Sequence, residues 1–121
     1  MKKILVILTV LLLVGCQNEV SYQKLEQDKA YEQLNDEEII LLDVREVHEF
    51  DSGHIKGAIL LPLGDIGSKS EEVLPDKEAK IFVYCRSGNR SKTAVLDLIE
   101  QGYTNVYDIG GIIDWEYEIE K

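Results

Sequence analysis

Ile81-Phe82-Val83-Tyr84 is a strongly β-prone apolar run, and only six residues separate it from a well-marked helix over Ser91 to Gln101. In that helix Ala94, Val95, Leu98 and Ile99 fall on one face. Gly102 stands where a left-handed C-terminal cap belongs, and Tyr103 can make the accompanying apolar contact. The rest of the chain repeats the alternation. Asp28 to Leu34 reads as a short helix and Ile39 to Val44 as a buried strand. Ala58 to Leu61 is a second short strand, and residues 63–74 form a short helix interrupted by Gly64 and Gly67. Asn105 to Ile109 is the fourth strand, Gly110-Gly111 turns the chain, and Ile112, Trp115 and Ile119 mark an amphipathic last helix. Strands alternating with helices predict an α/β fold: a small, mostly parallel sheet flanked by helices on both faces.

The six-residue loop is Cys85-Arg86-Ser87-Gly88-Asn89-Arg90. It falls at the carboxyl end of a parallel strand, where open α/β sheets place ligands. It also feeds a helix N-terminus, whose unpaired N–H groups carry a partial positive charge. Gly88 permits a positive φ, so that so short a loop can curl its N–H groups inward. Arg86 and Arg90 add two full charges. Every one of these features stabilises an anion, and the nearest anion is the thiolate of Cys85. An inert buried cysteine is the alternative, and it fits this setting poorly.

Cys85 to Ser91 resembles the active-site loop of the rhodanese family. Asp43-Val44-Arg45-Glu46, Glu49-Phe50, Gly53-His54-Ile55-Lys56-Gly57-Ala58 and Pro62 resemble the family's upstream signature in order and spacing, and Gly110-Gly111 with Trp115 resembles its C-terminal signature. These blocks span residues 39 to 115. The resemblance implies a rhodanese-like domain over 25–121 that transfers a sulfane sulfur. Cys85 would be the nucleophile, carrying a persulfide, and Arg86, Ser87, Gly88, Asn89, Arg90 and Ser91 would bind the small anionic donor. A thiol or cyanide would accept the sulfur, in two-step covalent catalysis without cofactor or metal. Dual-specificity phosphatases and arsenate reductases share this fold but place five residues between cysteine and arginine. Here four separate Cys85 from Arg90, a tighter ring for a tetrahedral phosphate. A sulfur carrier without turnover is the other reading. Asp43 and Arg45 are expected to be a hydrogen-bonded pair near the site, with a direct catalytic role as the alternative. The resemblance assigns His54 to a structural turn rather than to a Cys–His base. His48, with Glu116, Glu118 and Glu120, reads as solvated surface, and Trp115 as core.

The N-terminus is a separate matter. Met1-Lys2-Lys3 precedes an apolar run from Ile4 to Val14, broken only by Thr9. Eleven helical residues reach about 16 Å against roughly 30 Å of bilayer hydrocarbon, too short for a comfortable span. A basic start, a short apolar stretch and small residues after it make a secretory signal. Its ending, Leu13-Val14-Gly15-Cys16, resembles the lipobox of bacterial lipoproteins. That implies a signal peptide over 1–15, a diacylglyceryl group on Cys16 and a polar tether over 16–24, with the chain exported and held on the outer face of a bacterial cell membrane. Losing Lys2 and Lys3 moves the formal charge from −10 to −12. So acidic a domain excludes nucleic acid as a partner and gives no electrostatic hold on an anionic membrane. With Cys16 lipidated, Cys85 has no partner in the chain, which suits a reactive thiol. A monomer is expected.

Overall fold

The protein is described by a computed structural model covering residues 20–121; the signal segment and Cys16 lie outside the described residues. Four parallel strands form the sheet. They are β1 (Ile40–Asp43), β3 (Ile59–Leu60), β4 (Ile81–Cys85) and β5 (Val106–Gly111), in the order β3-β1-β4-β5. Helix α1 (Gln27–Gln33) precedes β1, and α2 (Val47–Ser52) follows it. Two-residue β2 (His54–Ile55) pairs antiparallel with β6 (Ile119–Glu120) in a separate ribbon. A 3-10 turn at Leu63–Asp65 leads into α3 (Ile66–Val73), and α4 (Asn89–Glu100) connects β4 to β5.

Strand alternation divides the core in two. Ile81, Val83 and Cys85 pack with Leu42, Val44, Ala94, Val95 and Leu98 on the α3–α4 side. Phe82 and Tyr84 pack with Ala30, Leu41, Ile55, Ile109 and Trp115 on the α1 side. All five residues of β4 are buried, as befits a central strand of a parallel sheet. Burial of side chains this large contributes about 1.5–3 kcal/mol each.

Helix α4 starts two residues earlier than its apolar pattern suggested, because Asn89 and Arg90 already form its first turn. Its far end is as expected. Gly102 N–H donates to Ile99 O and Tyr103 N–H to Leu98 O, the paired bonds of a Schellman cap. Tyr103 is fully buried, and its hydroxyl donates to Leu74 O at 2.6 Å.

Three sequence expectations are corrected. The last helix does not form. A 3-10 turn at Ile112–Asp114 is followed by the extended segment that carries β6. Trp115 and Tyr117 pack inward while Glu116 and Glu118 stay exposed, a period-2 pattern that a helical reading of Ile112, Trp115 and Ile119 passes over. Gly110-Gly111 is not a free turn but the end of β5. The register shifts between Val83 and Tyr84, so that Gly111 rather than Gly110 lies beside Cys85. Finally, the tether ends sooner than residue 24. Leu25 N–H donates to Asp108 O and Asp108 N–H to Gln23 O, which lays this stretch along the edge of β5.

Candidate active site

Cys85 is the last residue of β4, and its loop is braced by three hydrogen bonds. Gly88 takes φ +109°, as its place in the loop required, and acts as N-cap of α4. That turn brings its N–H to 3.0 Å from Cys85 Sγ. Ser91 is fully buried, and its hydroxyl donates to Gly88 O at 3.0 Å. Ile113 N–H donates to Arg86 O at 3.2 Å, tying the other limb of the loop to the turn after β5. The backbone around the sulfur is therefore fixed before any substrate arrives.

The charged groups are arranged differently from the sequence expectation. Arg86 is exposed and makes no ion pair among the described residues. Ser87 and Asn89 are also exposed at the loop, open to a substrate. Ser91 is not: its hydroxyl serves the loop's own backbone rather than a ligand. Arg90 turns its guanidinium onto Glu49, with Nη1 2.8 Å from Oε1 and Nη2 3.0 Å from Oε2. This two-pronged geometry fixes the cation's direction as well as its charge. Arg90 is held more firmly protonated, first by the Glu49 hydrogen bonds, with the Cys85 sulfur among the groups it feels.

Glu49 is the residue the sequence reading left without a role. It sits in the third position of α2, where Oε1 also accepts from Glu46 N–H at 2.9 Å in a capping box. The Arg90 guanidinium pulls its carboxyl from 4.5 to about 2. A Glu three residues into a short helix carries the capping signal. Its pairing across 41 residues to Arg90 leaves no local trace. Glu49→Gln is expected to cost about 1–2 kcal/mol at neutral pH, given the pair's partial exposure, and to slow sulfur loading roughly tenfold by loosening Arg90. The sign with pH follows from the lowered carboxyl. Wild type should hold its full advantage over Glu49→Gln above pH 4.5 and lose it as the pH falls toward about 2. Chemical denaturation of both proteins across that window measures it; a constant difference would remove the ion pair from the account.

Asp43 and Arg45 form the expected pair beneath the site. Arg45 Nε lies 3.1 Å from both carboxylate oxygens and Nη2 2.8 Å from Oδ2, while Nη2 also reaches Gly53 O at 2.7 Å. Tyr84 joins them: its hydroxyl accepts from Ile55 N–H at 3.0 Å, and burial, then Asp43, push its ionisation well above the usual range. Both charges of the pair are nearly sealed from solvent, so each needs the other. The network joins the end of β1 to the start of the β2 ribbon, and none of its hydrogen bonds reaches the Cys85 sulfur. His54 likewise makes no hydrogen bond to that sulfur. It stacks on Phe50, and Nδ1 faces Phe50 O at 3.0 Å. His48 is exposed on α2.

A strand-end cysteine held by a glycine N–H, with a paired arginine behind it, fits the loop the sequence resembled. The rhodanese-like domain model matches residues 26–118. The chain belongs to the rhodanese family. It is 45% identical over 83 residues to the putative sulfurtransferase YtwF of Bacillus subtilis, covering 69% of this chain and 79% of that one. It is 32% identical over 96 residues to the thiosulfate sulfurtransferase GlpE of Coxiella burnetii, covering 78% and 88%. It also matches the putative sulfur carrier protein YrkF of Bacillus subtilis at 34% identity over 87 residues, 71% of this chain but only 46% of that longer protein. Among solved structures, a rhodanese with anions from Escherichia coli superposes with a TM-score of 0.65 at 34% identity, covering 69% of this chain and 98% of that one. Several rhodanese relatives carry the name thiosulfate sulfurtransferase, and this chain is a rhodanese-type enzyme.

Proposed function

We propose that this rhodanese moves a sulfane sulfur from a small anionic donor such as thiosulfate to a thiol or cyanide through a persulfide on Cys85. The observation that carries the reading is the Gly88 N–H held 3.0 Å from Cys85 Sγ by a clamped loop. In the first half-reaction the Cys85 thiolate attacks the outer sulfur of thiosulfate. A new S–S bond forms, the donor's S–S bond breaks, and sulfite leaves with the electron pair. The enzyme is left with a terminal persulfide anion near the loop N–H groups and the exposed Arg86. Cyanide then takes the outer sulfur as thiocyanate and returns the thiolate. The names of the relatives support the donor class.

The mature protein mixed with thiosulfate is expected to gain the mass of one sulfur atom at Cys85, and cyanide should remove it as thiocyanate. Aryl phosphate should be hydrolysed negligibly, since four residues between Cys85 and Arg90 leave a narrow ring of N–H groups. Inserting a glycine after Gly88 should weaken loading. Phosphatase turnover with no persulfide would overturn the assignment, and loading without turnover would favour a sulfur carrier.

The same proposal places the protein outside the cytoplasm, cut before Cys16 and anchored by lipid on that residue. Leu13-Val14-Gly15-Cys16 after a short apolar run supports it, and a formal charge of −10 gives no electrostatic hold on an anionic membrane in its place.

A further inference from the structure

We infer that residues 22–27 belong to the sulfur-transfer machinery, with Tyr22 and Asp108 as positioning residues that hold the bulge in β5 and so set Gly111 against the Cys85 loop. This rests on the persulfide reading of Cys85. Val83 lies beside Asp108 but Tyr84 lies beside Gly110, which leaves Ile109 without a counterpart. Such a skip frees an amide from the ladder. Gly110 takes φ +88° there, and its N–H donates to Asp108 Oδ1 at 2.9 Å. Asp108 is 2% exposed, so its second oxygen also needs a donor. The Tyr22 hydroxyl supplies it. Burial, then Asp108, push the ionisation of that hydroxyl upward and keep it a donor.

The rest of the segment closes on the same place. Gln23 O accepts from Asp108 N–H at 2.9 Å, and Leu25 N–H donates to Asp108 O at 3.0 Å. Gln27 Nε2 donates to Ile109 O at 2.7 Å and to Gly111 O at 3.0 Å, so one amide spans the bulge. Covering the open edge of β5 needs only the two backbone bonds. The Tyr22 and Gln27 side chains go beyond that cover and fix the bulge itself. Tyr22 also lies under Lys92 Nζ, 5.6 Å from the ring centroid, which joins it to α4.

Beyond the bulge, contacts lead to the sulfur. A β-carbon on Gly111 would stand 2.2 Å from Arg86 O, so strand and loop are in direct contact there. Gly110 O stands 3.5 Å from Ser91 Oγ, whose bond to Gly88 O clamps the other limb of the loop. Gly88 N–H is the donor to Cys85 Sγ. A bulge that relaxes therefore shifts both limbs of the loop and the N–H that faces the sulfur.

The test compares variants of the full chain. Tyr22→Phe keeps the ring under Lys92 and leaves Asp108 Oδ2 buried without its donor. Asp108→Asn keeps an acceptor for Gly110 N–H and presents an amide that can donate to the Tyr22 oxygen. Tyr103→Phe removes a hydroxyl bond of the same kind, to Leu74 O, beyond the far end of α4. Persulfide formation at Cys85 is followed by rapid quench and peptide mass, beside a thermal melt. Tyr22→Phe is expected to load roughly fivefold more slowly at saturating thiosulfate, with the half-saturating concentration changed by less than about twofold. Its Gly88 amide should exchange with solvent roughly fivefold faster. Asp108→Asn should stay within about twofold of the wild-type rate, and Tyr103→Phe should melt earlier yet load at full speed. Tyr22→Phe at the wild-type rate, or slowed no more than Tyr103→Phe, overturns the assignment alone. Wild-type protein that takes up no sulfur overturns the persulfide reading, and the assignment with it.

Discussion

Cys85→Ser is expected to give a folded domain that takes up no sulfur from thiosulfate. Cys85 is 1% exposed and sits among apolar side chains, with its sulfur accepting the Gly88 N–H. A serine oxygen fills nearly the same space and can accept the same bond, so the cost is about 1 kcal/mol. For a domain of this size that lowers the melting temperature by roughly 4–8 °C. The chemistry has no such substitute. A hydroxyl needs an adjacent base to become a nucleophile. The histidine nearest in role, His54, is stacked on Phe50 and engaged with its carbonyl and with Glu120. Loading should therefore fall by at least about a thousandfold, to background. Thermal melts and intact mass after thiosulfate decide the matter together. A serine variant that still gains a sulfur atom would mean that the sulfur is held elsewhere.

The legible part of this site was the part made of neighbours in sequence. Strand, short loop and helix are contiguous, so the position of Cys85, the left-handed Gly88 and the cap at Gly102 could all be read from local preferences. Asp43 and Arg45 lie two residues apart and were expected to pair. What escaped were features made only by folding. Glu49 meets Arg90 across 41 residues, and nothing near either residue announces it. Tyr84 reads as a strand residue, yet its hydroxyl supports Ile55 across the sheet's second face. The C-terminal segment had two competing periods. The apolar Ile112, Trp115 and Ile119 suggested a helix, while Trp115, Tyr117 and Ile119 alternate with glutamates. Pairing with His54–Ile55 and the Tyr117 ring stacked on Tyr31 settled the contest in favour of the extended form. Tyr22 to Lys24 looked like tether because the stretch is largely polar and flanks no strong periodic run. They are ordered by a neighbour 84 residues away, the open edge of β5.

Gly111→Ala is expected to be the most damaging change outside the cysteine itself, and to damage activity more than folding. The β-carbon of an alanine at 111 would stand 2.2 Å from Arg86 O, 2.7 Å from Arg86 C and 2.7 Å from Ser87 Cα. All three are backbone atoms of the active loop, so no side chain can swing aside. Non-bonded carbons need about 3.5–4.0 Å, so the two segments must part by roughly 1 Å. Gly111 has φ −121° and ψ 146°, which alanine adopts freely, so the effect is steric rather than conformational. One side of the contact is the end of β5, held by Gln27 Nε2 on Gly111 O and by its pairing with Cys85. The other is a loop with solvent outside it, and the loop is what should yield. Overpacking of this kind costs about 1–3 kcal/mol, which leaves the domain folded. Moving Arg86 and Ser87 by that distance pulls on Gly88 and lengthens its 3.0 Å contact with the sulfur. A displacement near 1 Å in a reacting constellation lowers the rate on the order of a hundredfold. The rate of persulfide formation from thiosulfate, measured beside a thermal melt, tests both halves. Full-speed loading with a lowered melting temperature would show that the strand gives way instead, and that the loop's geometry does not depend on this contact.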